Sequence, residues 1–459
     1  MDAAVAYARE HAARFLDELK ALLRIPSVST LPEHDVDVEA AAEWVADNLR
    51  RIGMEHVEVL HGQGHPLVYG DWLHASGKPT CICYAHYDVQ PPDPLDEWIT
   101  PPFEPTERNQ NLYARGAVDD KGQLVTQLKA LESLLQTGDK KLPLNIRVIY
   151  EGEEEVGGER IAEFVEKHPE RLKGDFALIS DTEMFAPDLP TLCVGLRGMV
   201  YTELEVRGAK TDLHSGMYGG VAPNPFVALA QIISGLKGLD GKIQIPGFYD
   251  DVLKPSDEEL AQWRKLPFNE EEYKVEVGAT ALIGEKDFTP IERTWARPTL
   301  DVHGVVGGFI GTGAKTVIPA KATAKISMRL VPNMTPEKTF EQYKDYVQKL
   351  CPPGHAVDVR LIHSGEPSLI PTDNPWIRAS VAAMKKVWNK DTVFIRSGGS
   401  IPIVGDFAKH LHAPSVMMGF GLPDDGLHAP NEKFHIPNFH RGIESVIRFF
   451  EECGTENHG

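Results

Sequence analysis

The hydrophobic pattern of the first 195 residues alternates between helical and strand-like segments. Apolar residues recur at helical spacing over residues 1–26, where Pro26 stops the predicted amphipathic helix. Further helices are predicted at 38–52, 123–135 and 161–168, and short apolar strands at 80–85, 144–150 and 176–180. Strands that alternate with helices are typical of an α/β domain. We therefore predict a mixed, mostly parallel sheet flanked by helices.

The pattern changes after Thr191. Two segments, 200–206 and 322–330, alternate apolar and polar residues, as strands with one solvent-facing side do. Helical patterns follow at 225–236 and 336–350, and the chain then returns to the first pattern with a helix at 374–388 and a strand at 414–420. The sequence thus predicts a first domain over 1–195 and 371–459, and an inserted α+β domain over 196–370.

Length and charge narrow the class of protein. With 459 residues, two domains are expected. The net charge of −20 disfavours nucleic acid and anionic membranes as partners. The N-terminus lacks a signal-peptide pattern, and no apolar run is long enough to span a membrane. Five cysteines without a CxxC pair suit a reducing compartment, so we expect a cytoplasmic protein.

Acidic and histidine residues follow the apolar strands of the first domain. Strand 80–85 runs into His86, strand 144–150 into an EGEEE segment, and strand 176–180 into Asp181. In an open α/β sheet, ligands bind beyond the carboxyl ends of the strands, so these groups can converge in one crevice. Histidine nitrogens and carboxylates are ligands for Zn²⁺ or Mn²⁺.

Each of these features has an ordinary structural explanation when it is taken alone. A single histidine is more often structural, an Asp-Asp pair before a helix is usually an N-cap or a turn, and a run of Glu usually faces solvent. Their joint placement at strand ends favours a metal site, because an unneutralised cluster of carboxylates repels itself.

Eight short motifs follow one another along the chain. In the predicted first domain they are HYDVQP at 86–91, RGAVDDKG at 115–122, EGEEEVG at 151–157, SD at 180–181 and DDGLH at 424–428. In the inserted domain they are DLHSG at 212–216, GAKTVIP at 313–319 and SMRLVPN at 327–333. In type and order, these motifs resemble those of the M20 metallopeptidases, and they are most similar to those of the branch of carnosinase and the nonspecific dipeptidases. The resemblance covers essentially the whole chain.

The resemblance implies two divalent metal ions per subunit, with Zn²⁺ preferred and Mn²⁺ as the alternative. One ion is implied at His86, Asp119 and Asp181, and the other at Asp119, Glu155 and His428. Asp88 is implied to orient the ring of His86, and Glu154 to be the general base for a metal-bridging hydroxide. Aligning Gly152 and Gly157 with the family leaves Glu153 dispensable.

The same resemblance implies a homodimer and a substrate site. His214 corresponds to a histidine that reaches the partner subunit's active site and contacts substrate, and the inserted domain is implied to be a lid and dimerisation domain. Arg329 matches a residue that binds the substrate carboxylate, while Thr316 and Ser400 match other substrate contacts. Without the resemblance, His214 is an ordinary turn residue and the SGGS segment at 397–400 a flexible loop.

The function predicted from these motifs is hydrolysis of the amide bond of dipeptides. An N-acyl amino acid deacylase, or a carboxypeptidase for longer peptides, is the alternative, because all three need the same attack on an amide carbonyl. A non-catalytic binding protein on the same fold is disfavoured, since every expected ligand position and the general base are filled.

Overall fold

The chain forms two compact units in the computed structural model, which describes residues 2–137 and 139–455. The first unit contains Met1–Val194, Ile370–Ile395 and Pro402–Gly459, and the second contains Gly195–Leu369 with Arg396–Ile401. The short segment Arg396–Ile401, which the sequence pattern predicts to lie in the first domain, belongs to the second unit instead. Its Ser400 side chain hydrogen-bonds there to Arg329 and to the carbonyl of Arg197.

Fourteen helices and eighteen strands are found in the described ranges. The helices are α1 (Asp2–Glu10), α2 (Ala12–Leu23), α3 (Asp35–Ile52), α4 (Lys121–Leu135), α5 (Glu159–Lys167), α6 (Ser215–Tyr218), α7 (Pro225–Leu236), α8 (Asp257–Trp263), α9 (Glu270–Val277), α10 (Pro290–Trp295), α11 (Pro336–Leu350), α12 (Pro375–Trp388), α13 (Pro402–Asp406) and α14 (Ile436–Thr455). The strands are β1 (Glu55–Leu60), β2 (Leu67–Trp72), β3 (Thr80–His86), β4 (Thr106–Arg108), β5 (Asn111–Tyr113), β6 (Asn145–Glu151), β7 (Phe176–Ile179), β8 (Thr191–Leu196), β9 (Gly198–Arg207), β10 (Leu213–His214), β11 (Thr299–Gly307), β12 (Val317–Ile318), β13 (Lys321–Leu330), β14 (Ala356–Gly365), β15 (Ser368–Leu369), β16 (Val393–Ser397), β17 (Ser415–Met417) and β18 (Lys433–His435).

The first unit is organised by a mixed sheet in the order β1-β2-β6-β3-β7-β17-β8. The four central strands β6, β3, β7 and β17 are parallel, and the flanking pairs β1–β2, β2–β6 and β17–β8 are antiparallel. This arrangement confirms the predicted mixed α/β sheet. The carboxyl ends of the parallel strands meet at one edge, where a site can form.

Helices pack along this sheet, α3 against β1 and β2, α4 against β3, and α12 against β17. Helix α4 is buried along its whole length, including its charged residues. Two of these are satisfied by ion pairs, since Lys129 contacts Glu18 and Glu132, and Glu132 also contacts Arg14. Buried charges need such partners, so α4 forms a fixed support behind β3.

The second unit is built on an antiparallel sheet in the order β11-β13-β9-β14. Helices α7 and α11 pack against it, and the core between them contains alternate apolar residues of β9 and β13. Alternation with a period of two places one side of a strand in the core and leaves the other side outside it, as the sequence pattern predicts.

The structure differs from the predicted elements at several places. The helix predicted over 1–26 is interrupted at His11, whose ring nitrogen lies 2.9 Å from the carbonyl of Tyr7 and whose backbone leaves the helical conformation. Strands β1 and β2 were not predicted; β2 is buried on both sides and therefore lacks a period of two. No helix in the described ranges combines the length and the apolar character that a bilayer span requires.

Candidate metal centre

Three neighbouring strands of the first unit deliver polar side chains to the same sheet edge. Strand β3 ends at His86, β7 is followed by Asp181, and β6 is followed by a short 3₁₀ turn, Glu154–Val156. Because these strands lie side by side and parallel in the order β6-β3-β7, their carboxyl ends place these residues together.

The first group of potential ligands consists of His86, Asp119 and Asp181. The Nε2 atom of His86 lies 3.1 Å from Oδ1 of Asp119 and 4.0 Å from Oδ2 of Asp181. One ligand atom of each residue lies within 4.8 Å of the others, which is close enough to surround a single ion. His86 is fully buried, so its ring is held in this position.

The second group consists of Asp119, Glu155 and His428. The Nε2 atom of His428 lies 3.0 Å from Oδ2 of Asp119 and 3.4 Å from Oε2 of Glu155. The ligand atoms of this group also lie within 4.8 Å of one another. Asp119 therefore belongs to both groups, with one carboxylate oxygen facing each histidine.

Asp88 connects the two sides of the site. Its Oδ1 atom lies 3.3 Å from Nδ1 of His86, the ring nitrogen opposite the one that faces Asp119. The same carboxylate accepts hydrogen bonds from the backbone N–H groups of Glu154 at 3.2 Å and Glu155 at 3.1 Å. The backbone carbonyl of Asp88 lies closer to the same Nδ1 atom, at 3.1 Å. Asp88 thus orients the imidazole through its backbone and its side chain, and its carboxylate fixes the turn that carries the two glutamates.

The sequence matches the profile of Peptidase family M20/M25/M40 over residues 82–452. The chain belongs to this family. The Cys-Gly metallodipeptidase DUG1 of Candida albicans is 34% identical over 96% of this chain and 95% of its own. The Beta-Ala-His dipeptidase of Homo sapiens is 30% identical over 96% of this chain and 90% of its own. The structure of the M20 family metallo-carboxypeptidase Sso-CP2 from Sulfolobus solfataricus matches this one with a TM-score of 0.87 at 32% sequence identity. The match covers 96% of this chain and 99% of that one. The predicted resemblance is confirmed, and this M20 peptidase is an enzyme.

Burial and mutual repulsion perturb the acids of this M20 peptidase. Burial, together with the charge of Asp119, raises the pKa of Glu155 to about 8 and that of Asp181 to about 6. Burial also raises the pKa of Glu154 well above its ordinary value, and Asp181 adds to the effect. The hydrogen bond to Asp119 raises the pKa of His428 to about 9. Because burial and neighbouring negative charge raise the pKa of these carboxyl groups, a nearby positive charge would favour their ionised forms.

The residues of the M20 peptidase fit the metal ions that its family binds. Two imidazole nitrogens and several carboxylate oxygens are a donor set suited to Zn²⁺ or Mn²⁺, and each of the two groups offers three such donors. A third group on β1 and β2, Glu55, His56 and Asp71, is largely exposed, and its His56 already pairs with Asp71 at 2.7 Å. The two groups that share Asp119 are therefore the better candidates for a metal centre.

Several supporting residues of the M20 peptidase were not predicted from sequence. Ser29 donates to Asp88 at 2.6 Å, and Gln90, inside the HYDVQP motif, donates to Glu155 at 2.8 Å. Glu153, expected to be dispensable, accepts backbone hydrogen bonds from His65 and Arg160, each at 2.8 Å. The EGEEE motif does not distinguish Glu153 from Glu154 and Glu155, because their different roles depend on where each side chain of the turn points.

The second unit of the M20 peptidase brings the expected substrate residues together in two pairs. Arg329 donates to the hydroxyl of Ser400 at 2.8 Å. His214 lies beside Thr316, since β10 pairs with β12 and the carbonyl of Thr316 accepts a hydrogen bond from the backbone N–H of Ser215. The Nδ1 atom of exposed His214 accepts from Gly216 N–H at 3.0 Å, so Nε2 carries the proton and remains a donor.

A cavity of about 540 Å³ lies within the second unit of the M20 peptidase, next to Arg329. Its wall includes Arg197 and Tyr201, whose ring is stacked between His303 and His363 at centroid distances of 5.3 and 5.4 Å. Burial and the neighbouring Arg329 lower the pKa of Arg197 to about 10. Two nearby guanidinium groups make this cavity attractive to a carboxylate.

Proposed function

We propose that this M20 enzyme hydrolyses the amide bond of dipeptides with two divalent metal ions and Glu154 as general base. The observation that carries the proposal is the sharing of buried Asp119 between two groups of potential ligands. Relatives of similar length bear the names Cys-Gly metallodipeptidase and Beta-Ala-His dipeptidase, which favours dipeptides over longer peptides and N-acyl amino acids.

The proposed mechanism assigns a separate task to each residue. His86, Asp119 and Asp181 would hold one ion, and Asp119, Glu155 and His428 would hold the other. When bound, the ions polarise the scissile carbonyl and lower the pKa of the attacking water towards about 7. Glu154 accepts the proton of that water on its carboxylate and delivers it to the leaving amine, a role worth about 10²–10⁴-fold in rate. Asp88 keeps Glu154 and Glu155 in place through their backbone N–H groups.

The residues of the second unit are proposed to bind the substrate. Arg329 and Ser400, which hydrogen-bond to each other, recognise the carboxylate of the dipeptide, since a guanidinium group contacts a carboxylate with two donors. Thr316 lies beside His214 and contacts the substrate from the same side. The protonated Nε2 atom of His214 suits an interaction with the oxygen that becomes negative during attack.

We also propose a homodimer in which the unit formed by Gly195–Leu369 is the lid and dimerisation domain and His214 acts in the partner subunit's site. Strand β11 is an edge strand, and an edge strand with exposed apolar side chains favours pairing with another chain. The exposed apolar residues of β11 and the loop after it are Val302, Val305, Val306, Phe309 and Ile310.

The identity of the metal and the location of the enzyme complete the proposal. Imidazole and carboxylate ligands favour Zn²⁺, with Mn²⁺ as the alternative. All five cysteines lie in the described part of the chain and outside any disulfide, and four of them are buried, as suits the reducing cytoplasm.

The test of this function is hydrolysis of a small substrate panel by protein stripped of metal and refilled with Zn²⁺ or Mn²⁺. The panel contains dipeptides, a tripeptide and N-acetyl amino acids. We expect metal-dependent cleavage confined to dipeptides. Cleavage of only the tripeptide or only the acetylated amino acids would overturn the assignment of dipeptides as substrates. No cleavage of any substrate with either metal would overturn the proposed metal-dependent hydrolysis.

A further inference from the structure

A single buried carboxylate, that of Glu432, organises the loop that carries Asp119. Its Oε1 atom accepts hydrogen bonds from the backbone N–H groups of Val118 at 3.0 Å and Asp119 at 3.1 Å. Its Oε2 atom accepts from Gly116 N–H at 2.9 Å and from the guanidinium group of Arg115 at 2.8 Å. Four donors thus converge on one fully buried side chain.

Glu432 also belongs to the segment that carries His428. It directly precedes β18, which pairs with β5, and its carbonyl accepts a hydrogen bond from Ala114 N–H, where the Asp119 loop begins. The segment is closed by Asp425, whose carboxylate accepts from Leu422 N–H at 2.7 Å and from the ammonium group of Lys433 at 2.6 Å. Glu432 therefore lies where the loops of Asp119 and His428 meet.

We propose that Glu432 is a positioning residue that sets Asp119 relative to His428 for metal binding. This inference rests on the proposed roles of Asp119 and His428 as ligands. The backbone N–H of Asp119 is held by Glu432, while the Asp119 carboxylate faces His428 at 3.0 Å and His86 at 3.1 Å. The position of Glu432 thereby controls both groups of ligands, because Asp119 belongs to both.

The chemistry of the side chain explains why no neutral isostere can replace it. A carboxylate offers acceptor sites on both oxygens, whereas the amide of glutamine has one accepting oxygen and an NH₂ group that only donates. In Glu432→Gln, the NH₂ group faces two N–H donors whichever way the amide is turned, so the loop must shift. Loss of a partner that orients a ligand typically weakens metal binding about 10–100-fold.

The test measures the dissociation constant of Zn²⁺ for the full chain by competition with a chromophoric chelator. No peptide substrate is present, so the measurement does not depend on catalytic activity. We expect Glu432→Gln to bind Zn²⁺ about 10–100-fold more weakly than wild type at a temperature where both are folded by circular dichroism. The matched control is Glu132→Gln, because Glu132 is also buried and bonded to cations but touches neither ligand loop. The control should lower thermal stability and leave the dissociation constant unchanged.

Wild-type affinity in folded Glu432→Gln, or equal weakening in the control, would overturn the inference. If Glu432→Gln does not fold, Glu432→Asp takes its place, because it keeps the negative charge but is too short to hold all four donors. Wild-type affinity for Zn²⁺ in Glu432→Asp would likewise overturn the inference. Asp119→Asn distinguishes the ligand role of Asp119 from the positioning role of Glu432. Unchanged affinity in Asp119→Asn refutes the ligand assignment, whereas weakening in Asp119→Asn but not in Glu432→Gln refutes only the role of Glu432.

Discussion

Replacement of Asp88 by asparagine tests whether the site depends on one orienting carboxylate. Asp88 accepts backbone hydrogen bonds from Glu154 and Glu155 and a third bond from Ser29, and it lies 3.3 Å from Nδ1 of His86. In Asp88→Asn, one oxygen becomes an NH₂ group that faces a backbone N–H in either orientation of the amide. At least one charge-assisted hydrogen bond is lost, together with the negative charge beside the imidazole.

The size of this effect follows from those contacts. A hydrogen bond to a charged group contributes about 1.5–3 kcal/mol, and 1.36 kcal/mol corresponds to a factor of ten. We therefore expect kcat/KM of Asp88→Asn to fall about 10–150-fold through loss of one such bond, and further through the altered basicity of His86. The assay is dipeptide hydrolysis at saturating metal, with Ser29→Ala as a control that removes only the hydroxyl and should cause a smaller loss. Wild-type kcat/KM in folded Asp88→Asn would refute the orienting role.

Three further substitutions separate the other roles. Glu154→Gln should retain its metal, measured by elemental analysis, and lose about 10²–10⁴-fold in kcat; near wild-type turnover would remove it as general base. His214→Ala should lose activity without losing metal. A one-to-one mixture with Glu154→Gln should recover up to about a quarter of wild-type activity, because about half of the dimers are mixed and each mixed dimer has one intact site. No recovery after subunit exchange would contradict the cross-subunit role. Glu153→Ala should lower the free energy of unfolding by about 1–3 kcal/mol in urea, because it leaves the N–H groups of His65 and Arg160 unpaired, yet keep kcat; a loss of kcat with full stability would show a catalytic role instead.

The parts of the site that follow directly from strand ends could be predicted from sequence. His86 and Asp181 stand at the ends of apolar strands that proved to be neighbouring and parallel, so their convergence follows from sheet geometry. Asp119 and His428 lie on loops, and their assignment depended on motif order rather than on a pattern of polarity. The structure places both beside the strand residues.

The supporting contacts could not be predicted, because they depend on three-dimensional placement of loops. Ser29 lies 59 residues before Asp88, and Glu432 lies 313 residues after the Asp119 N–H that it holds. Neither residue stands in a local pattern that distinguishes it from a surface side chain. Similarly, the position of Ser400 in the second unit follows from its bonds to Arg197 and Arg329, which no periodicity reveals.

The central claim is that Asp119 is shared by two metal ions, and metal stoichiometry tests it most directly. Metal-depleted wild-type protein should take up two Zn²⁺ ions per chain when titrated and measured by elemental analysis after removal of free metal. Asp181→Asn and His428→Asn should each lose one ion preferentially, and Asp119→Asn should weaken the binding of both. A wild-type stoichiometry of one ion, or two undisturbed ions in Asp119→Asn, would contradict the account.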